Sequence, residues 1–378
     1  MNMINVLEVI RQGQIGGGES HLLDLISYLD RSRIEPICLS FTDGEMISRL
    51  KQMGVTCHII ETCKPFDVNV QRQIKQLLID YHIDIVHAHG SRAASNVVWP
   101  AHSLHIHLIY TVHGWSFHDD QPWPVRKLRA LSEKCICHYC DKVICVSQSN
   151  ADTGHNTFGL KDAHVIENGI NLERFNPSRS LDNLRPTMGL LADDYVIGFV
   201  ARCTKQKNPI VFLSALEMAH ERNAHIKGVF VGEGDMDNEV NTYISEHNMQ
   251  EYLFRSKFRT DVPELLQAID VYCLPSLWEG LSIALLEAMA MKKAIIATPT
   301  DGTRELIVND NNGIIVPFND TQALSDAFMM LAQQPENGEK LGEAARNYVE
   351  QRFNAQRVAD KVTEIYEEVY QEIQHPQH

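Results

Sequence analysis

The chain has 378 residues, 44% hydrophobic and 22% charged, with a formal net charge of −15. That length exceeds one ordinary core and predicts two domains, while the acidic balance argues against a general nucleic-acid binder, which needs a basic footprint. No stretch reaches the roughly 20 apolar residues that span a bilayer. The N-terminus enters a strand pattern at once, with neither a basic leader nor a small-residue cleavage site. The nine scattered cysteines fit reduced thiols better than a disulfide framework, so a cytoplasmic enzyme is expected.

In chain order, strands are predicted over 6–10, 36–40, 57–60, 83–87, 108–112, 143–146 and 164–166. Helical patterns fall between them, over 20–29 (Leu22, Leu23, Ile26 and Leu29 on one face) and 70–81 among others. Strands separated by helices mean βαβ units and a parallel sheet. The segment 168–191, with its Gly, Pro and Asn residues, reads as a linker. The alternation then restarts with strands over 196–200, 227–231, 253–254, 271–274, 294–297 and 314–316. From residue 321 the pattern is helical, ending in a long run over 355–373. The fold class is α/β: two doubly wound sheets in sequence, expected to bind ligand in the cleft between them. The domains are placed at 1–185 and 186–354, with a final segment 355–378.

Several stretches carry candidate chemistry. The loop after the first strand, Gly13-Gln-Ile-Gly16-Gly17-Gly18-Glu19, suits phosphate or close ligand approach. A turn that merely needs glycine is the other reading. It is not a dinucleotide fingerprint, because Ile15 and His21 break the glycine spacing, which disfavours a nicotinamide oxidoreductase. His87, His89 and His113 each follow an apolar run and should emerge at strand ends. A packed structural role is favoured for His87, a functional one for His113, which precedes Gly114. Their spacing matches no zinc pattern.

Cys135, Cys137, His138 and Cys140 invite a metal reading, yet they continue an apolar face through Val125, Leu128, Leu131, Cys135, Ile136 and Tyr139. Buried thiols are the expectation there. The same helix carries Arg126, Lys127, Arg129 and Lys134, downstream of Trp115, Phe117 and Trp123. Two readings stand: contact with anionic lipid headgroups, or a solvated helix face above core aromatics. In the second half, Arg202 and Lys207 follow a strand end and suit a diphosphate clamp, with solvated surface cations as the alternative. Asp235-Met-Asp237 reads as helix capping more readily than as a metal site.

The stretch 270–305 organises the chain: a strand, a loop with Glu279, a helix opening near Ser282 that carries Glu287, and a second strand. Eight helical residues rotate a side chain by roughly 80° beyond two turns, so the two glutamates are not a stacked dyad. The free amides of the helix start favour an anionic ligand.

Together, Gly16-Gly17-Gly18-Glu19, VHAHG, TVHG, VICVSQS, VIENGIN, GFVAR with Lys207, VGEGD and EGLSIALLE resemble the family-4 retaining glycosyltransferases of GT-B fold over nearly the whole chain. The resemblance implies two Rossmann-like domains and a final helix that crosses back to the first. It implies Arg202 and Lys207 on the donor diphosphate, with Gly17 and Gly18 closing on it. Glu287 would bind the ribose; Glu279 and His113 the transferred sugar; the amides of Ser282 and Ile283 sugar and phosphate; Phe258 and Arg259 the base. Catalytic roles fall to His113, Glu279, Arg202 and Lys207. Two positions depart from the family pattern: Lys257 and Asn208 stand where glycine is frequent.

VHGWSF before a basic helix resembles bacterial members that build capsule, O-antigen or other lipid-linked glycans. That implies a hexose or N-acetylhexosamine moved from a nucleotide-diphosphate sugar, UDP favoured, to a glycan or lipid-linked acceptor, without metal or other cofactor. Peripheral contact with the inner face of the membrane is implied, and nucleic acid is not. A sugar-nucleotide epimerase or phosphorylase of the same fold, or a non-catalytic sugar-nucleotide scaffold, are the competing readings.

Overall fold

Parallel strands flanked by helices repeat through the chain because short apolar runs, rich in Val and Ile, alternate with amphipathic segments. The computed structural model describes residues 3–118 and 121–374. Within them the chain forms two units, one running to Gly169 and resuming at Ala355, the other spanning Ile170–Asn354. No helix of the described residues is long and apolar enough to cross a membrane.

In the first unit, β1 (Ile4–Ile10), β2 (Ile34–Ser40), β3 (Thr56–Ile59), β4 (Ile85–His89), β5 (His107–Val112), β6 (Lys142–Cys145) and β7 (Ala163–Val165) make one sheet. The order is β3-β2-β1-β4-β5-β6-β7, every pairing parallel. Its helices are α1 (Gly17–Tyr28), α2 (Glu45–Gln52), α3 (Val68–Asp80), α4 (Ser91–Leu104), α5 (Trp123–His138) and α6 (Gln148–Phe158). Strand order reverses between β1 and β4, and ligands gather at such a switch point, at the strand carboxyl ends.

The second unit's sheet comprises β8 (Tyr195–Val200), β9 (Ile226–Val231), β10 (Leu253–Ser256), β11 (Val271–Leu274), β12 (Ala294–Ala297) and β13 (Ile314–Ile315). The order β10-β9-β8-β11-β12-β13 puts its switch point between β8 and β11. Here the helices are α7 (Pro209–Arg222), α8 (Asp237–Glu246), α9 (Val262–Ala268), α10 (Ile283–Ala290), α11 (Asp301–Leu306), α12 (Thr321–Gln333) and α13 (Pro335–Arg352). The α/β class and the doubly wound topology are those the sequence predicts. The last helix, α14 (Ala355–Gln374), returns to the first unit. Val358, Val362, Ile365, Tyr366 and Val369 enter the core formed by β1 and α1. Residues 375–378, placed in the final segment, lie outside the described residues.

Three expectations change. Residues 170–185 group with the second unit: the Ile170 amide donates to the Phe353 carbonyl at 2.8 Å, and the buried Phe175 offers its carbonyl to Arg346 at 2.6 Å. β4 runs two residues past the predicted end, so both His87 and His89 lie within the strand. The first half of the apolar stripe of α5 faces outward, with Leu128 69% and Leu131 63% exposed, while Ile136 of the same stripe is buried. Glu133 and Ile136 are the buried residues of the helix, and Cys135, Cys137 and Cys140 are half-buried free thiols, of which Cys137 and Cys140 pack against the core.

Candidate active site

At the switch point of the second sheet, two loops are tied together. The first follows β8 and carries the exposed Arg202 and the 3-10 turn Lys205–Lys207. Asn208 then takes a left-handed conformation (φ 54°) before Pro209 opens α7. Asn tolerates that geometry better than most residues, which explains its place where the family often has glycine. The second loop, after β11, carries Glu279. Lys207, only 9% exposed, pairs its ammonium with the Glu279 carboxylate. Gln206 donates from Nε2 to the Trp278 carbonyl at 2.8 Å, and the Leu277 amide donates to the Gln206 carbonyl at 2.8 Å. Below them, the Tyr272 hydroxyl donates to the Val200 carbonyl at 2.9 Å. Gly232 (φ 149°) lets the loop after β9 pack against the same place, since a Cβ there would lie 1.8 Å from the Ala201 carbonyl oxygen.

α10 begins beside this knot. Ser282 is its N-cap residue and makes no side-chain cap, so the first-turn amides keep their donors for a ligand. Ser282 and Ile283 are buried, and Glu287 is half-buried farther along α10. Beyond β10, Arg259 closes a two-point pair with Asp261, one bond of 2.8 Å from Nε. The guanidinium is therefore engaged, and Phe258 beside it is half-buried. In the Asp235/Asp237 pair, Asp237 accepts from Arg255 Nη2 at 2.9 Å and opens α8.

The first unit gathers a second set of groups at its own switch point. Gly17 and Gly18 form the first turn of α1 behind the uncapped N-cap residue Gly16, and a Cβ at Gly18 would meet the ring of His113 at 3.7 Å. His113 is half-buried just past β5. Its Nε2 lies 3.2 Å from Nδ1 of His89, whose Nε2 lies 2.9 Å from Oε2 of the fully buried Glu8. Tyr366 of α14 donates to Oε1 of Glu8 at 2.7 Å, while His87 spans Tyr366 at 2.5 Å and Thr111 at 2.7 Å. His21 of α1 stands edge-on to His113, ring centroids 4.9 Å apart. Burial is the main force lowering the pKa values of His21, His87 and His113, with neighbouring histidines adding to it. His21 falls to about 3, so all three rings are neutral near pH 7.

The ligand atoms of His21, His89 and His113 lie within 4.8 Å of one another, as do those of Glu8, His87 and His89 and of Asp193, Asp194 and His225. In the first two groups the hydrogen bonds just described join most of the members. In the third, Asp193 and His225 are exposed.

The family model described as "Glycosyltransferase Family 4" matches residues 15–174, and "Glycosyl transferases group 1" matches 182–348. The Escherichia coli enzyme named UDP-Gal:alpha-D-GlcNAc-diphosphoundecaprenol alpha-1,3-galactosyltransferase is 28% identical over 79% of this chain and 81% of its own. The chain belongs to the family-4 glycosyltransferases. The Anabaena protein HepE, crystallised with UDP and glucose, shares the fold with a TM-score of 0.86, at 20% identity over 97% of this chain and all of that one.

In this GT-B glycosyltransferase the structure brings Arg202, Lys207, Glu279, Ser282, Ile283 and Glu287 to one end of the second sheet, and Gly17, Gly18 and His113 to one end of the first. Sequence reasoning missed Glu8, Glu133 and Tyr366. Glu8 had a signal, a lone carboxylate inside the apolar run INVLEVI. Glu133 had none, being one of several charges on a basic helix. Fully buried, it accepts from Ser91, from the Tyr110 hydroxyl at 3.0 Å and from the Ser116 amide at 3.1 Å. It thereby anchors the loop that follows His113.

Proposed function

We propose that this glycosyltransferase moves a hexose or N-acetylhexosamine, with retention, from a UDP-sugar to a glycan or lipid-linked glycan in bacterial surface polysaccharide synthesis. The observation that carries the reading is the knot of Lys207, Glu279 and the uncapped start of α10. It sets cationic charge, amide donors and a sugar-reading carboxylate at one sheet switch point. The E. coli relative's name gives a UDP-galactose donor and a diphosphoundecaprenol-linked acceptor, which favours UDP and a lipid-linked glycan.

Arg202, Lys207 and the α10 amides stabilise the charge that grows on the departing diphosphate, a preorganised electrostatic role. The anomeric carbon–oxygen bond to phosphate breaks as a bond to the acceptor oxygen forms on the same face. The acceptor's proton leaves with the diphosphate, and UDP is released. Glu279 and His113 hold the sugar, Glu287 the ribose, Phe258 and Arg259 the base, and Gly17 and Gly18 the diphosphate. No metal or other cofactor enters this scheme, because Arg202 and Lys207 supply the positive charge. Work is done at the cytoplasmic face of the membrane, to which α5 binds peripherally. The outward-facing Trp123, Leu128 and Leu131 on a helix with Arg126, Lys127, Arg129 and Lys134 favour that contact.

A thermal-shift panel of UDP-, GDP- and ADP-sugars tests the donor, since a bound donor raises Tm by mass action. Transfer that survives Glu287→Ala or Arg202→Ala in a folded protein would sink the assignment. Products formed with no acceptor would point to an epimerase, and no binding of any nucleotide diphosphate to a scaffold.

A further inference from the structure

We infer that Glu8, acting through His89, fixes the tautomer of His113, so that His113 presents an unprotonated Nδ1 to a sugar hydroxyl. The assignment follows from donors and acceptors, given one proton on the His89 ring. A carboxylate only accepts, so the Tyr366 hydroxyl must give its proton to Oε1 of Glu8, and His89 must carry its proton on Nε2 to reach Oε2. With a single ring proton, placed on Nε2, His89 keeps a lone pair on Nδ1 and can only accept there. The 3.2 Å contact then requires a proton on Nε2 of His113, which leaves Nδ1 of His113 as the acceptor. No hydrogen bond from the described residues reaches that nitrogen.

The other arm of the network runs in the same sense. Tyr366 has spent its proton on Glu8, so it accepts from Nδ1 of His87, and Nε2 of His87 accepts from Thr111. Burial, followed by the Glu8 charge, holds the Tyr366 phenol well above its ordinary pKa, which keeps it a donor. Every proton in the chain Thr111–His87–Tyr366–Glu8–His89–His113 is thus placed by one carboxylate. The parallel register supplies the scaffold: Glu8 is paired with His87, and Ile10 with His89, across β1 and β4. Glu8 and His89 are positioning residues, and α14 contributes through Tyr366.

The inference rests on the reading that His113 meets the sugar, and the test separates the two. Histidine is labelled with ¹⁵N in the full chain, and the His113 signals are assigned by their loss in His113→Asn. Wild-type protein should show the Nε2–H tautomer for both His89 and His113. In His89→Phe the acceptor is gone, and in Glu8→Gln an amide that can both donate and accept replaces the carboxylate. Both should relax His113 toward a mixture of tautomers. In folded variants kcat should fall by about 10- to 100-fold, the range known for partners that orient metal-ligating imidazoles, with donor KM changed far less. An Nδ1–H tautomer in the wild type, or a tautomer unmoved in both variants, overturns the inference. UDP-galactose or UDP-glucose that leaves the His113 signals unshifted would instead overturn its contact with the sugar.

Discussion

Lys207 and Glu279 form a buried ion pair between the two loops at the second sheet's switch point, with side chains only 11% and 7% exposed. Removing one partner leaves a desolvated charge, which typically costs about 3–5 kcal/mol. Lys207→Met should therefore lower the urea midpoint and abolish transfer together. The double variant Lys207→Met/Glu279→Leu should recover part of the stability, because no charge is left unpaired, but none of the activity. A Lys207→Met protein with the wild-type midpoint would show that the pair does not hold the loops.

Arg202 presents the opposite case. It is exposed, and its guanidinium has no carboxylate partner among the described residues, so its charge is available to a ligand rather than to the fold. A hydrogen bond to a charged group contributes about 1.5–3 kcal/mol. Arg202→Ala should raise the Kd for UDP by roughly 10- to 100-fold while leaving Tm within a degree or so of wild type. Calorimetric titration beside a melting curve separates the two effects, and a large fall in Tm would assign Arg202 to the fold.

Acid should destabilise the first unit before the carboxylates titrate. His21 has an ordinary pKa of 6.5 and falls to about 3 in the fold, through burial first and His89 second. His87 and His113 shift the same way. Between those values the unfolded chain binds more protons than the native one, so stability rises with pH. The contribution is therefore complete above about pH 6.5 and is lost as pH falls toward 3. From pH 7 to pH 5, His21 alone accounts for about 2 kcal/mol. Melting curves across that range should show it, with a smaller slope in His21→Leu. A flat profile would mean that these rings take up protons in the fold as they do in the unfolded chain.

The strand plan was legible because parallel strands covered on both faces read as apolar runs, and 271–274 and 294–297 were placed to the residue. The loop groups Arg202, Lys207 and Glu279 were legible from charge at strand ends. What sequence did not show is pairing between distant positions: Tyr366 reaches Glu8 across 358 residues, and no local pattern marks either as the other's partner. Periodicity found the stripe Val125, Leu128, Leu131, Cys135, Ile136 and Tyr139 but could not tell that the fold would bury Ile136 and leave Val125, Leu128 and Leu131 exposed. Glu133 is one of the residues on the buried side. Its three hydrogen bonds lie on the buried side of the helix, where Ile136, Ala130, Cys137 and Cys140 also pack against the core.

That outward stripe gives a measurable consequence. Trp123 (69% exposed), Leu128 and Leu131, interleaved with Arg126, Lys127, Arg129 and Lys134, should bind vesicles containing phosphatidylglycerol and release them as salt rises. Each basic residue near such a surface contributes about 1 kcal/mol, so Lys127→Glu/Arg126→Glu should abolish co-flotation. Trp123→Ala/Leu128→Ala should weaken it at every salt concentration. Equal binding to neutral vesicles, or to vesicles by the charge-reversed variant, would exclude the anionic headgroup as the ligand.

Glu133 offers the sharpest test of how the first unit's site is held. Its carboxylate takes three donors, one of them the Ser116 amide, and Ser116 lies three residues beyond His113. In Glu133→Gln one of the two carboxylate oxygens becomes an NH2 group: facing Ser116 it meets an amide N–H that can only donate, and facing Tyr110 it needs the phenol to turn from donor to acceptor. Leaving a buried donor unsatisfied costs about 1–3 kcal/mol, and the urea midpoint should fall accordingly. The loop bearing Trp115 and Ser116 would then lose its anchor. Transfer should drop although Glu133 touches no substrate, while UDP binding, which this reading assigns chiefly to the second unit, should stay close to wild type. Glu133→Asp keeps the charge but shortens the reach, and should recover part of the activity if the anchor, rather than the helix itself, sets the position of His113. Activity unchanged in Glu133→Gln would separate that loop from the placement of His113.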